Sequence, residues 1–204
     1  MIELIDVWKS FNNEWVLRGV NLEITNSGLF VIVGDNGSGK TTLIKLICGL
    51  LKPSKGVIKV FGVDTKKNLS YKSRIGVLLH ENILYDELTV WENLEFYAKL
   101  YNRKDISDIA VEAFESLGLK RFKDIKVGEL SYGWKKRANI VRALINDPEI
   151  VLFDEPFSGL DSNARAVIDD LLYKLSKSKT VLITSPVTPE IGVVYKLYDG
   201  VLHT

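Results

Sequence analysis

Residues Gly34, Asp35, Asn36, Gly37, Ser38, Gly39, Lys40 and Thr41 follow the pattern G-x-x-x-x-G-K-[ST], between a continuous apolar run at 29–33 and helical periodicity at 41–50. The chemistry needs these residue types. Glycines let the backbone curl until successive amides point inward at phosphate oxygens, and the amino end of the next helix adds positive potential. Lys40 supplies a point charge for the β- and γ-phosphates, and the Thr41 hydroxyl is a ligand for Mg²⁺. A buried strand feeding such a loop and then a helix selects an α/β chain with a parallel sheet.

The rest of the chain fits that frame. Apolar runs at 150–153 and 180–183 read as strands buried on both faces, as 29–33 does. Residues 2–7, 16–24 and 56–61 alternate in character and read as half-buried strands. Helical periodicity recurs at 90–101, 106–117, 134–144 and 164–175. Thr89 with Glu92 predicts a capping box, and Gly118 falls where a helix-ending glycine belongs. The helix-rich stretch from about 84 to 145 interrupts the alternation and reads as a helical subdomain within one continuous domain, 1–204.

A phosphate loop needs a carboxylate at a neighbouring strand end. The run at 150–153 delivers Asp154 and Glu155. Asp154, the first charge after four apolar residues, suits the metal, and Glu155 suits a general base aimed at water.

Composition excludes several classes. Lys and Arg total 27 against 26 Asp and Glu, a net charge of +1, which gives no bias toward nucleic acid. The one cysteine, Cys48, forms no internal disulfide and fits a reducing compartment. No apolar run approaches the roughly 18 residues of a membrane helix, and the amino terminus has no signal-peptide pattern, so any membrane role runs through a partner.

Residues 130–134, Leu-Ser-Tyr-Gly-Trp, directly precede a helix, and Ser158, Gly159, Leu160 and Asp161 follow the acidic pair. With the phosphate loop, these resemble the signature (LSGGQ) and D-loop (SxLD) of ABC transporter ATP-binding subunits, from about residue 2 to 202. The compact length and the stretches at 88–94 and 130–134 look most like the cytochrome c maturation haem-exporter subunit, with drug- and polysaccharide-type exporters close behind. The resemblance implies a P-loop NTPase fold with a mostly parallel core sheet, an N-terminal antiparallel β-subdomain and a helical subdomain. It places ATP on Gly34, Asn36, Gly37, Ser38, Gly39, Lys40, Thr41 and Thr42, with Mg²⁺ on Thr41 and Asp154 and Glu155 as catalytic base. It also implies a head-to-tail dimer, homodimeric or with another ABC ATPase chain, in which Ser131, Gly133 and Asp161 of one copy meet the other's nucleotide. Ser131 is a good N-cap residue, and Gly133 leaves the backbone accessible. The family's adenine-stacking aromatic falls on Phe11, with Trp8 and Trp15 as rivals nearby. The partner is a separate transmembrane subunit, which places the chain in the cytoplasm, on the inner face of the membrane. Of the aromatics in the implied docking segment (Tyr85, Trp91, Phe96, Tyr97 and Tyr101), at least one is expected to be exposed.

Two positions depart from the family. The chain contains no glutamine at all, and His80 stands where the Q-loop glutamine belongs. Imidazole suits Mg²⁺ poorly, so His80 acts through a water, couples to the partner, or is a plain loop histidine. Pro186 stands where the switch histidine contacts the γ-phosphate, and it offers neither a side-chain donor nor an amide N–H. The Ser185 and Thr184 hydroxyls are the available substitutes. The expected enzyme is therefore a slow ATPase; the alternative is a catalytically weak regulatory half of a heterodimer.

Overall fold

The computed structural model describes residues 1–189 and 191–203. Two sheets result. The first is antiparallel, in the order β2 (Glu14–Ile24), β1 (Ile2–Phe11), β4 (Lys55–Val60), β5 (Val63–Asp64). Asn12 and Asn13 close the β1–β2 hairpin with φ of 47° and 66°. Positive φ at both positions of a two-residue loop matches the twist of the flanking strands, and asparagine tolerates it.

The second sheet runs β10 (Val201–His203), β9 (Val193–Tyr198), β3 (Gly28–Val33), β8 (Thr180–Ser185), β7 (Ile150–Phe153), β6 (Ile75–Leu78). Pairing is parallel from β9 through β6, and β10 turns back antiparallel. The mostly parallel core and the N-terminal antiparallel sheet are those expected.

The side-chain period of two splits this sheet between two cores. Val31, Val33, Val151, Phe153, Val181 and Ile183 face the helical core around α2 (Val90–Leu100), α3 (Asp108–Ser116), α4 (Tyr132–Leu144) and α5 (Ser162–Ser176). Ile32, Ile150, Leu152 and Leu182 face α1 (Lys40–Ile47) and the antiparallel sheet. Truncating a fully buried member such as Leu182 removes its transfer free energy and opens a cavity, at about 2–5 kcal/mol.

The start of α2 and the end of α3 form as their sequences predict. Thr89 accepts from the Glu92 amide while the Glu92 carboxylate accepts from the Thr89 amide. After α3, Gly118 at φ 74° lets the Gly118 amide reach Glu115 O and the Leu119 amide reach Phe114 O. Among the described residues, no helix is long and apolar enough to cross a membrane.

Candidate nucleotide site

The loop after β3 is held between β8 and β9. The Gly34 amide donates to Ser185 O at the end of β8. A Cβ on Gly34 would lie 2.4 Å from Leu197 O, so the approach of β9 requires glycine there. Gly37 and Gly39 take φ of 85° and 104°, where an L side chain is strained. Gly39 is the N-cap of α1 and provides no side-chain cap, so the helix's first amides remain available to an anion.

Four predicted residues converge here. Lys40 is 4% exposed; its Nζ donates to Gly34 O (2.8 Å) and Asp35 O (3.0 Å) and lies 3.4 Å from Glu155 Oε1. Thr41 Oγ1 donates to Asp154 Oδ2 at 2.7 Å. The other oxygen, Oδ1, accepts from Thr184 Oγ1 at 2.7 Å, and Thr184 Oγ1 itself accepts from the Glu155 amide at 2.9 Å. The parallel register that pairs Phe153 with Ile183 sets Asp154 beside Thr184. Glu155 carries φ 46°, a backbone strain that surrounding contacts must hold in place.

The residues suit a nucleotide with its metal. Ser38 Oγ is buried without a hydrogen-bond partner, a polar atom at the loop that a phosphate oxygen would satisfy. Asp154 and Thr41 present hard oxygen donors. Magnesium commonly takes one or two carboxylates plus substrate phosphates rather than an all-protein cage.

Other predicted residues lie apart or play different parts. A 390 Å³ cavity opens beside the loop, lined by Trp15, Val16, Arg18, Asn36, Gly37, Ser38, Tyr198 and Asp199 among others. Phe11 is not in that wall; it ends β1 with Lys9 Nζ 4.8 Å from its ring centroid, and the aromatics of the cavity are Trp15 and Tyr198. His80 is exposed after β6 and borders a crevice with Asn82, Tyr132, Lys135, Lys136 and Asn139. Ser131 sits at the N-cap of α4, but its hydroxyl makes no cap bond, which corrects the capping role expected of it. Gly133 follows two residues later, where an added Cβ would stand 3.3 Å from Leu160. Asp161 caps α5 through the Ala164 amide at 2.7 Å.

The hydroxyls that could stand in for the switch histidine are both committed. Thr184 bonds Asp154, and Ser185 Oγ donates to Val187 O at 2.6 Å while accepting from the Val187 amide. Pro186 is exposed, and His203 ends β10.

Sequence reasoning passed over Lys136. It is 7% exposed, and Nζ donates to the carbonyls of Glu155 (2.6 Å) and Ser158 (2.9 Å). Burial lowers its pKa to about 8, opposed by the Glu155 and Asp154 carboxylates. The available signal was a lysine on the face of α4 that also carries buried Ile140 and Ala143.

A glycine-rich cradle at a helix start, with a carboxylate pair at the end of β7, one strand beyond β8, defines a nucleoside-triphosphate-binding α/β protein. The family model described as ABC transporter matches residues 17–158, and the chain belongs to that family. It is 38% identical to the ABC transporter ATP-binding protein NatA of Bacillus subtilis (strain 168), covering 94% of this chain and 81% of NatA. It is 33% identical to the bacitracin transport ATP-binding protein BcrA of Enterococcus faecalis, covering 100% of this chain and 66% of BcrA. The chain spans 62% of the Nod factor export ATP-binding protein I of Rhizobium sp. (strain N33), to which it is 36% identical. The dimeric bacterial ABC transporter cassette MJ0796 superposes with a TM-score of 0.91 at 31% identity, covering 100% of this chain and 97% of the cassette. The same cassette in its post-hydrolysis state with ADP and Pi superposes at 0.87 and 30% identity.

Proposed function

We propose that this chain is a single-domain ATP-hydrolysing subunit that dimerises around Mg-ATP and drives a separate membrane-spanning subunit. One observation carries the reading: Lys40, Thr41, Asp154 and Glu155 form a single hydrogen-bonded and ionic cluster at the carboxyl ends of β3 and β7. In phosphoryl transfer the protein mainly positions groups and stabilises charge.

Each residue then has a defined task. The amides of 37–42, with Ser38 Oγ, cradle the phosphates. Lys40 would turn from the loop carbonyls to the β- and γ-oxygens, and Asp154 and Thr41 would hold a Mg²⁺ ion, which would supply charge neutralisation at the phosphates. Glu155 accepts the proton of the attacking water. Trp15 is the better adenine platform, because it lines the cavity that Phe11 does not. Ser131, Gly133 and Asp161 meet the partner's nucleotide. That arrangement is supported by the dimeric cassette and by the uncapped amino end of α4.

Docking of a membrane subunit is supported by a 210 Å³ apolar groove lined by Leu50, Val77, Leu79, Ile83 and Tyr101 among others. Tyr101 and neighbouring Tyr85 are 37% and 51% exposed, while Trp91 packs against Phe114. His80, exposed after β6, is then a coupling contact to that subunit rather than a metal ligand. Relatives named for bacitracin transport and Nod factor export favour an exporter-type system over the haem-specific reading. The cargo class is not encoded in the cluster. The commitment of both Thr184 and Ser185 favours slow turnover, and a regulatory half of a heterodimer is the second reading.

The test is phosphate release from Mg-ATP by the purified chain, beside fluorescent-nucleotide binding. Glu155→Gln should bind as the parent does and lose at least about 10² in turnover. A chain that binds no nucleotide, or a variant that hydrolyses at the parent rate, contradicts the assignment.

A further inference from the structure

Between β7 and α5 the chain passes through Glu155, Pro156, Phe157, Ser158 and Gly159, with Glu155 at φ 46° and Gly159 at φ 73°. The turn's own backbone contributes two bonds, Ser158 N to Glu155 O at 3.2 Å and Leu160 N to Phe157 O at 3.3 Å. Against these long contacts stands the Lys136 ammonium, at 2.6 Å from Glu155 O and 2.9 Å from Ser158 O. Charge-assisted bonds of this length are about twice as strong as neutral ones. Lys136 belongs to α4, a separate element that meets the turn at two more points. The Tyr132 ring lies over Gly159, and Gly133 faces Leu160. The helix amino end proposed to read the partner's nucleotide is thus tied by one buried side chain to the backbone of the proposed base.

We infer that Lys136 is a positioning residue for hydrolysis: by clamping the carbonyls of Glu155 and Ser158 it fixes the strained backbone that aims the Glu155 carboxylate, and it transmits displacement of α4 to that carboxylate. The inference rests on the reading of Glu155 as base. A buried lysine with no carboxylate within bonding distance is costly to keep: burial outweighs the pull of the Glu155 and Asp154 carboxylates and lowers its pKa to about 8. An apolar side chain of the same length would fill the site without that cost. The ammonium's return is geometric: two carbonyls, two residues either side of the turn, held to one helix.

The experiment compares steady-state ATPase kinetics, nucleotide affinity and melting temperature for the parent, Lys136→Met, Lys136→Gln, Glu155→Gln and the Lys136→Met/Glu155→Gln pair. Methionine keeps volume and removes both bonds; glutamine restores a donor one bond shorter. Lys136→Met should lower kcat by about 10- to 100-fold, the scale of a misplaced catalytic group, with KM and nucleotide affinity changed less than about threefold. Lys136→Gln should recover part of kcat. In the Glu155→Gln background the methionine change should slow residual turnover by less than about twofold, because Lys136 acts through that carboxylate.

Parent-like kcat in Lys136→Met, with Glu155→Gln inactive, overturns the positioning role and leaves the base assignment intact. An equal loss in the Glu155→Gln background also overturns it, as does a loss in kcat that follows lost affinity or melting with no recovery by glutamine. Full turnover in Glu155→Gln itself removes the base, and the inference falls with it. Should the methionine variant fail to fold, the kcat-against-KM split in Lys136→Gln decides between the same outcomes.

Discussion

The amino ends of α1 and α4 both lack a side-chain cap, yet they are built for different situations. Around α1 the chain gathers groups that suit an anion and its counter-ion: positive-φ glycines, Lys40, and the Asp154–Glu155 pair from the end of β7, across β8. Around α4, Ser131 and Tyr132 are exposed, and the neighbours are the small and apolar groups of Gly159 and Leu160. Of the cations near this end, Lys135 pairs with Asp86 and Lys136 points inward to carbonyls instead of outward to a ligand. The first end draws its phosphate-loop and carboxylate groups from one chain. The second, on the reading proposed above, is the half-site that a second copy would present.

The largest effect expected from this contrast is on binding. Lys40→Ala removes a charge-assisted contact worth about 2–3 kcal/mol, so titration calorimetry should show ATP affinity falling about 30- to 150-fold. Ser131→Ala should leave the monomer's affinity within about twofold while lowering turnover. Equal losses at both positions would erase the distinction between the two ends.

Next in size is the missing donor. With Thr184 and Ser185 both bonded elsewhere, Pro186→His should raise kcat by about 10-fold or more and change ATP affinity little. Phosphate release by the two proteins under saturating ATP checks this. A parent already turning over near the common enzyme value of about 10 s⁻¹, or a histidine variant that is slower, would sink the argument.

A smaller effect is on stability. Lys136 has a folded pKa near 8 against 10.5 in the unfolded chain, so between those values the unfolded chain holds a proton that the native one has shed. Stability from this group therefore rises with pH across 8–10.5 and is flat below 8. Denaturant titrations of the parent and Lys136→Met should diverge in that direction, the parent gaining on the variant. No divergence would mean that the ammonium is better hydrated than its burial implies.

How much of this was readable in the sequence depends on whether a residue's partner is local. The strand, loop and helix at 29–50 were legible because glycine spacing and apolar period are local signals, and the run at 150–153 became β7 residue for residue. Four strands were not named, among them the two-residue β5. Gly76 interrupts the short run of β6, and β9 alternates too weakly, with five of its six residues at least partly exposed. The last, β10, is only three residues long. Within the site, Lys40, Asp154 and Glu155 were found by motif. Thr184's bond to Asp154 depends on β7 and β8 being neighbours in register, which no local pattern encodes. Lys136 looked like one more surface charge beside Lys135, and only the packing of α4 on the turn after β7 shows its side chain turned inward. Phe11 was chosen by position in the family pattern, but the β1–β2 hairpin presents Trp15 to the cavity.

The central claim is that one chain's phosphate loop is closed by the α4 end of another. Multi-angle light scattering on Glu155→Gln, with and without saturating Mg-ATP, tests it most directly. The account predicts monomer mass without nucleotide and twice that mass with it, and reversion to monomer when Ser131→Arg is added to block the α4 end. Monomer mass in the presence of bound Mg-ATP, or a dimer indifferent to both nucleotide and Ser131→Arg, would contradict it.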